Sequence, residues 1–267
     1  MTIIFKASTT EAYRIKILSD LLKNNLSRFC FVIDESGIKT RMMDDNRSVM
    51  FDFVLEQPKF TTWKFKSSQP ICCGINSSLL QKMLRSIKKK DTVYLFIDDS
   101  APFDLGIKVV PKDNNRITSS FVQTQEMQNI EISLPEGYPK SPVIVQSSEF
   151  QKMCKDLSHI GKVITVTSKG FSIKFACGAK GVVSRIEQFG VEDSDGDDDD
   201  FEQKEYQQTF ATEQFTKIAK ISGLGSSMRI FASMGVPLKF CANIGDLGEI
   251  SIYIKSKEQI DEDSCDA

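Results

Sequence analysis

Four times along the chain, an apolar stripe at helical spacing is backed by a row of cations and followed by runs that alternate like strands. The clearest case is Phe150 to Gly161, FQKMCKDLSHIG. Phe150, Met153, Cys154 and Leu157 recur at the 3, 4 and 7 spacing of a core-facing helix stripe. Lys152, Lys155 and His159 fall on the opposite face, which reads as cationic with no carboxylate in register. Ser147 or Ser148 is placed to cap this helix, Glu149 lies in its first turn, and Gly161 ends it. One such helix is an ordinary solvated element. Four of them ask for a shared cause.

The other three follow the same pattern. Thr9 or Thr10 caps an expected helix to about Asn25, with Ile15, Ile17, Leu18, Leu21, Leu22 and Leu26 inward. Lys16 and Lys23 share its other face beside Ser19. Asn76 or Ser77 caps a second helix, Ser78 to about Lys89. Leu80, Met83, Leu84 and Ile87 point inward there, and Lys82, Arg85 and Lys89 outward. Thr212 caps a fourth to about Ser222, with Phe215, Ile218 and Ala219 inward and Lys217 and Lys220 outward. Runs such as FCFVI, VMFDFVL, VITVT and FSIKFA between the helices read as strands. At mid-chain, EISLPEGYPKS followed by Pro142 cannot continue a sheet interior. The reading is therefore α+β, with two helix-and-strand units on each side of a linker. The expected boundaries are 1–130, a connector 131–142, 143–257 and an acidic tail 258–267.

The chain is near neutral, with 34 Lys and Arg against 36 Asp and Glu. That excludes a generic basic nucleic-acid coat. The signs are segregated, however. Acids crowd into Val191 to Glu205 and into the terminal EQIDEDSCDA, and cations dominate elsewhere. Segregation suits a protein that meets a polyanion on one surface only. Both acidic stretches read as solvated and disordered.

Enzymatic chemistry finds little support. The chain has 1 histidine and 7 cysteines, with no paired CxxC, so neither a metal nor a cofactor is expected. Cys154 and His159 lie on opposite faces of one helix and cannot form a dyad. No phosphate-cradling glycine loop occurs. SDGDDDD misses the register of a calcium loop. No apolar run is long enough to span a bilayer, and MTIIFKASTT lacks a signal-peptide layout, so neither membrane insertion nor secretion is expected.

The segments CKDLSHIG, GVPLKFCANIGDLGEISIYI and FCFVIDESGIKTRMMDDN resemble the eukaryotic and viral DNA sliding clamps of the proliferating cell nuclear antigen family. The likeness runs over about residues 5 to 257. It implies the DNA-clamp fold: two similar domains, each with two helices packed on curved antiparallel sheets, assembling into a homotrimeric ring. It implies sequence-independent binding of double-stranded DNA, with a polymerase, a clamp loader and other clamp-motif proteins as partners. It implies work in DNA replication and repair, in the nucleus or a viral replication compartment. The family's inner basic positions fall on Lys16, Lys23, Lys82, Arg85, Lys152, Lys155 and Lys220, and His159 matches the family's histidine. Lys89 and Lys217 join them from the face pattern alone. The family's partner-peptide pocket falls on Met43, Arg47, Met50, Ile132, Leu134, Pro135, Val236, Pro237, Tyr253 and Ile254. Two departures bear on partner choice: Arg47 stands where the family has histidine, and Lys255-Ser256 replace Ala-Pro. Ring contacts would pair Arg116 to Gln125 of one chain with Gly181 to Phe189 of the next. The alternative is a clamp-like subunit of a heterotrimer, or a protein-interaction scaffold without DNA.

Overall fold

The computed structural model describes residues 3–113, 115–127, 132–179, 182–191 and 206–265. The chain divides into two compact units. One comprises Met1–Asp45, Met50–Ile132 and Asn243–Ile250; the other comprises Asn46–Val49, Ser133–Ala242 and Ser251–Ala267. The loop 191–205 lies outside the described residues except Val191, as do Ile130, Glu131 and Gly181.

The first unit begins β1 (Ile3–Thr9), α1 (Ala12–Asn25), β2 (Arg28–Asp34), β3 (Gly37–Met43) and β4 (Val49–Glu56). It continues with β5 (Thr62–Phe65), β6 (Ile71–Asn76), α2 (Ser77–Leu84), β7 (Thr92–Asp98), β8 (Ala101–Val110) and β9 (Thr118–Gln123). One sheet runs β5-β1-β7-β8-β9, and β4-β3-β2-β6 pair in that order. Neighbouring strands are antiparallel, as in Phe5↔Phe65 and Val93↔Val109. The two helices pack on each other, and Gln81 Nε2 donates to Asp20 Oδ1 across them at 3.0 Å. Phe5, Phe29, Phe51 and Phe53 are fully buried beneath them or within the sheets.

The second unit repeats the plan. It contains β10 (Val143–Gln146), α3 (Ser147–Ser158), β11 (Val163–Lys169), β12 (Ser172–Ala179), β13 (Val183–Phe189) and β14 (Tyr206–Ala211). Then come α4 (Thr212–Ile218), a 3₁₀ turn Ala219–Gly223, β15 (Ser227–Phe231), β16 (Leu238–Asn243), β17 (Gly248–Ile254) and α5 (Lys257–Cys265). Strands order as β13-β12-β11-β14 and as β10-β15-β16-β17. The core is a network of phenylalanines in which Phe215 meets its neighbours edge-on and Phe150 meets Phe240 tilted. Phe215 meets Phe175 and Phe210 at 5.7 Å and Phe240 at 6.0 Å, and Phe150 meets Phe240 at 5.4 Å. Edge-to-face contact adds about 0.5–1.5 kcal/mol per pair to the burial itself.

Several local expectations are corrected. α2 ends at Leu84, not near Lys89, because Asp91 Oδ2 takes the Lys88 N–H at 2.8 Å that a longer helix would give to Leu84. Arg85 and Lys89 therefore sit on the turn beyond the helix. Met83 is only half-buried, and so is Ala219. α4 stops at Ile218 and tightens into the 3₁₀ turn that closes at Gly223. The N-caps shift as well. Glu11 precedes α1, and Thr9 Oγ1 accepts only from the Glu11 N–H. Gln146 precedes α3, so Ser147 is its first residue, buried with an unpartnered hydroxyl. Ala211 precedes α4, and Gln214 reaches back to its N–H at 3.1 Å. Asn76 does cap α2, accepting from Leu79 N–H at 3.1 Å. Ser19 is buried and donates to the Lys16 carbonyl rather than lining an open face.

The terminal acidic segment is helical, not disordered, over its described residues. Ser256 Oγ accepts from the Gln259 N–H at 3.2 Å, and Gln259 Oε1 accepts from the Ser256 N–H at 3.0 Å, a reciprocal cap. Glu258 then clasps β14, accepting from the Thr209 N–H at 3.2 Å and from its hydroxyl at 2.5 Å. None of the described helices is long and apolar enough to cross a membrane.

Candidate nucleic-acid interface and partner groove

In the first unit the apolar stripe of α1 sinks Ile15, Leu18, Leu21 and Leu22 into the core, which turns the intervening cations away from it. Lys23, Lys82, Arg85 and Lys89 are exposed. Lys16 is half-buried. Its ammonium donates to the Ile87 carbonyl at 3.1 Å and lies 5.6 Å from the Tyr13 ring centre. Lys89 approaches the same ring at 5.9 Å. Tyr13 thus gathers one cation from α1 and one from the turn after α2, although neither contact neutralises them.

In the second unit α3 packs against α4 and its 3₁₀ extension. Phe150, Met153, Cys154 and Leu157 are all buried, so Lys152, Lys155 and His159 are exposed on the opposite side. The expectation of an α3 face with no carboxylate in register is corrected, and α4 carries a pair of its own. Lys152 Nζ pairs with Glu149 Oε1 at 2.7 Å, and Lys217 Nζ pairs with Glu213 Oε1 at 2.8 Å. The hydrogen bond it donates to Glu149 holds the Lys152 ammonium above its ordinary pKa, and the bond from Lys217 lowers that of Glu213. Lys23, Lys82, Arg85, Lys155 and Lys220 join no carboxylate among the described residues. Within each unit these cations carry the uncompensated charge of the helix faces.

The expected pocket residues divide between the units. In the first, Met43 pairs with Met50 across the β3–β4 hairpin, and the Ile132 carbonyl accepts from Arg41 Nη1 at 2.9 Å. Arg41 also pairs with Asp52 at 3.0 Å. Arg47, which falls in the second unit with Asn46–Val49, is exposed with φ 53°, a left-handed conformation that non-glycine residues seldom hold. In the second, Leu134 is exposed and Pro135, Val236 and Pro237 are half-buried. Met50, Tyr253 and Ile254 correct the expectation: all three are buried, with Ile254 at 0% exposure, and cannot offer open apolar wall.

Three residues of the second unit escaped the sequence reading: Tyr138, Phe231 and Lys239. The Tyr138 hydroxyl donates to the Pro237 carbonyl at 2.8 Å, and Ser233 Oγ donates to the Gly137 carbonyl at 3.0 Å. These bonds pin 133–141 beside the β15–β16 turn. Burial pushes the Tyr138 hydroxyl pKa well above its usual range, so it stays a donor. The one available signal was an aromatic residue inside an otherwise polar, proline-rich linker.

Among the described residues, two of the sheet-edge strands bear on assembly. β9 ends the first unit's five-stranded sheet and β13 ends the sheet β13-β12-β11-β14. Phe121 on β9 is 61% exposed and Ile186 on β13 is 65% exposed, so each edge carries apolar side chains as well as unpaired backbone groups.

Three buried thiols are unsuited to nucleophilic work. Burial pushes Cys30 and Cys73 up to about 12, and it raises Cys154 as well. Among the described residues no three His, Cys, Asp or Glu side chains cluster as a metal site.

With this geometry established, comparison with known proteins is specific. The family model for the proliferating cell nuclear antigen N-terminal domain matches residues 4–134, and that for its C-terminal domain matches residues 134–257. A relative named proliferating cell nuclear antigen, from Chaetomium thermophilum, is 22% identical over 262 residues, covering 97% of this chain and 100% of its own. The crystal structure of the proliferating cellular nuclear antigen of Entamoeba histolytica superposes with a TM-score of 0.82 at 19% identity, over 96% of this chain and 100% of that one.

Proposed function

The chain belongs to the proliferating cell nuclear antigen family and is a DNA sliding clamp, and from that premise we propose how its own residues serve the task. It acts as a homotrimeric ring closed around duplex DNA, in the nucleus or a viral replication compartment. The observation that carries this reading is the set of exposed, uncompensated cations: Lys23, Lys82 and Arg85 in the first unit, Lys155 and Lys220 in the second. Lys89, Lys152, His159 and Lys217 supplement them. Lys16 serves mainly as an anchor, because one of its protons is committed to the Ile87 carbonyl.

These side chains touch phosphates and read no bases. Flexible lysine stems reach the backbone without fixing a register, so the ring slides. Topology retains the DNA, and each contact stays weak and screened by salt. Glu149 and Glu213 temper the face by competing with phosphate for Lys152 and Lys217.

Ring closure adds β13 of one copy to β9 of the next through backbone hydrogen bonds, with Phe121 and Ile186 covered in the joint. Partner proteins dock a short segment with an aliphatic plug and aromatic residues. In the second unit Leu134, Pro135, Val236 and Pro237 supply apolar wall and Arg47 a cation; in the first, Met43 and Ile132 supply apolar surface. Polymerase, clamp loader and repair proteins compete for it.

Light scattering of the purified chain should return the mass of three copies, and Ile186→Glu should reduce it to one. With a loader and polymerase, the ring should lengthen synthesis on singly primed circular DNA. A monomeric wild type, or synthesis unchanged by its addition, would count against the reading.

A further inference from the structure

Lys239, on β16, holds its ammonium over three aromatic rings of the second unit. It lies 5.3 Å from the centre of Tyr138, 5.2 Å from Phe231 and 5.4 Å from Tyr253. The rings come from the stretch before β10, from β15 and from β17. They also support one another, with Tyr138 6.3 Å from Phe231 and 6.1 Å from Tyr253. The hydroxyl bond from Tyr138 to the Pro237 carbonyl fixes the first ring in place.

Such an arrangement positions a cation without cancelling it. A ring face offers a quadrupole and not a full negative charge, so the ammonium keeps its field. Lys239 is half-buried, yet no carboxylate pairs with it and no acceptor takes its N–H groups among the described residues. A lysine has three donors to satisfy. The half-exposed ammonium is open to solvent, and a carboxylate from another molecule would complete an ion pair there.

We propose that Lys239 is a specificity determinant of the partner groove, receiving the side-chain carboxylate of an Asp or Glu in the docking segment. The proposal rests on the groove reading above. Pro237, two residues before Lys239, belongs to the apolar wall, and its carbonyl holds Tyr138. A ligand that serves this place must present apolar surface to the wall and a carboxylate to the ammonium. A peptide with an acidic residue near its aromatic pair does both. A nucleic-acid phosphate has no apolar part to lay against Pro237 and the half-buried rings of Tyr138 and Phe231.

The test uses the full chain and fluorescein-labelled synthetic peptides carrying an aliphatic plug and two aromatic residues, with every other position set in turn to Glu or Gln. Anisotropy titrations on wild type should find one position where Glu binds about tenfold tighter than Gln, the size of a charge-assisted hydrogen bond. That preference should shrink as salt rises. K239M should lose the preference while binding the Gln peptide as wild type does, and K239R should keep it. Peptides that bind wild type with no Glu preference anywhere overturn the carboxylate assignment and leave the groove standing; this arm needs no variant to fold. Discrimination that survives in K239M overturns it too. If no peptide binds wild type, the groove reading falls and this proposal falls with it.

Discussion

Neutralising Lys82, Arg85, Lys152 and Lys155 to glutamine together tests whether position, and not total charge, governs contact with DNA. All four are exposed, and only Lys152 has a carboxylate partner, so little folding energy depends on them. The change takes the formal net charge from −2 to −6, four cations fewer. Each phosphate contact contributes about 0.9 to the slope of log affinity against log salt. Four contacts therefore predict a slope shallower by roughly 3.6. Over a fourfold rise in salt this amounts to roughly two orders of magnitude in affinity. The assay is the dissociation rate of rings loaded on end-blocked duplex, measured across a salt series. A second variant with Lys59, Lys64, Lys66 and Lys169 changed to glutamine alters net charge equally, at exposed positions off the four helices. The helix variant should flatten the slope and shorten processive synthesis while remaining trimeric. Equal slopes for the two variants would refute the argument, because they would show a diffuse charge effect and no dedicated face.

Leu134→Ala removes exposed apolar wall and should weaken a clamp-motif peptide by about 1 kcal/mol, roughly fivefold in Kd by calorimetry. For Glu258, burial opposes the charge, but hydrogen bonds from the Thr209 hydroxyl and backbone N–H groups hold its pKa below the ordinary value. The carboxylate's contribution is therefore present above the unfolded pKa of about 4.3 and lost as pH falls through the lower folded pKa. Hydrogen exchange in α5 should rise in that acid window for wild type and be fast at neutral pH for Glu258→Gln. Cys30 and Cys73, with thiols pushed up to about 12, should resist iodoacetamide at pH 8 until guanidinium unfolds the chain, as mass spectrometry of the peptides would register. Half-exposed Cys72 should label first.

What the sequence settled by itself was whatever depends on neighbours within a turn or two. Phe150, Met153, Cys154 and Leu157 announce a buried stripe because helical period is local, and all four are buried. The duplicated order of helices and strands follows from the same reasoning, as does the exposure of Lys155 and Lys220. The Lys152–Glu149 pair, three residues apart on one helix, is equally local.

Tertiary structure decided the rest. α2 stops at Leu84 because a buried Asp91 outbids the helix for one N–H. The acidic tail becomes α5 because Thr209, distant in sequence, clasps Glu258. The family resemblance places Met50 and Ile254 in the groove wall, but both are buried. The ring cluster on Lys239 draws on residues 138, 231 and 253, and no periodicity links those numbers. Spacing along a chain encodes which face a side chain takes. Which groups compete for a hydrogen bond, and which charges lack a partner, depends on segments that only folding brings within a few ångströms.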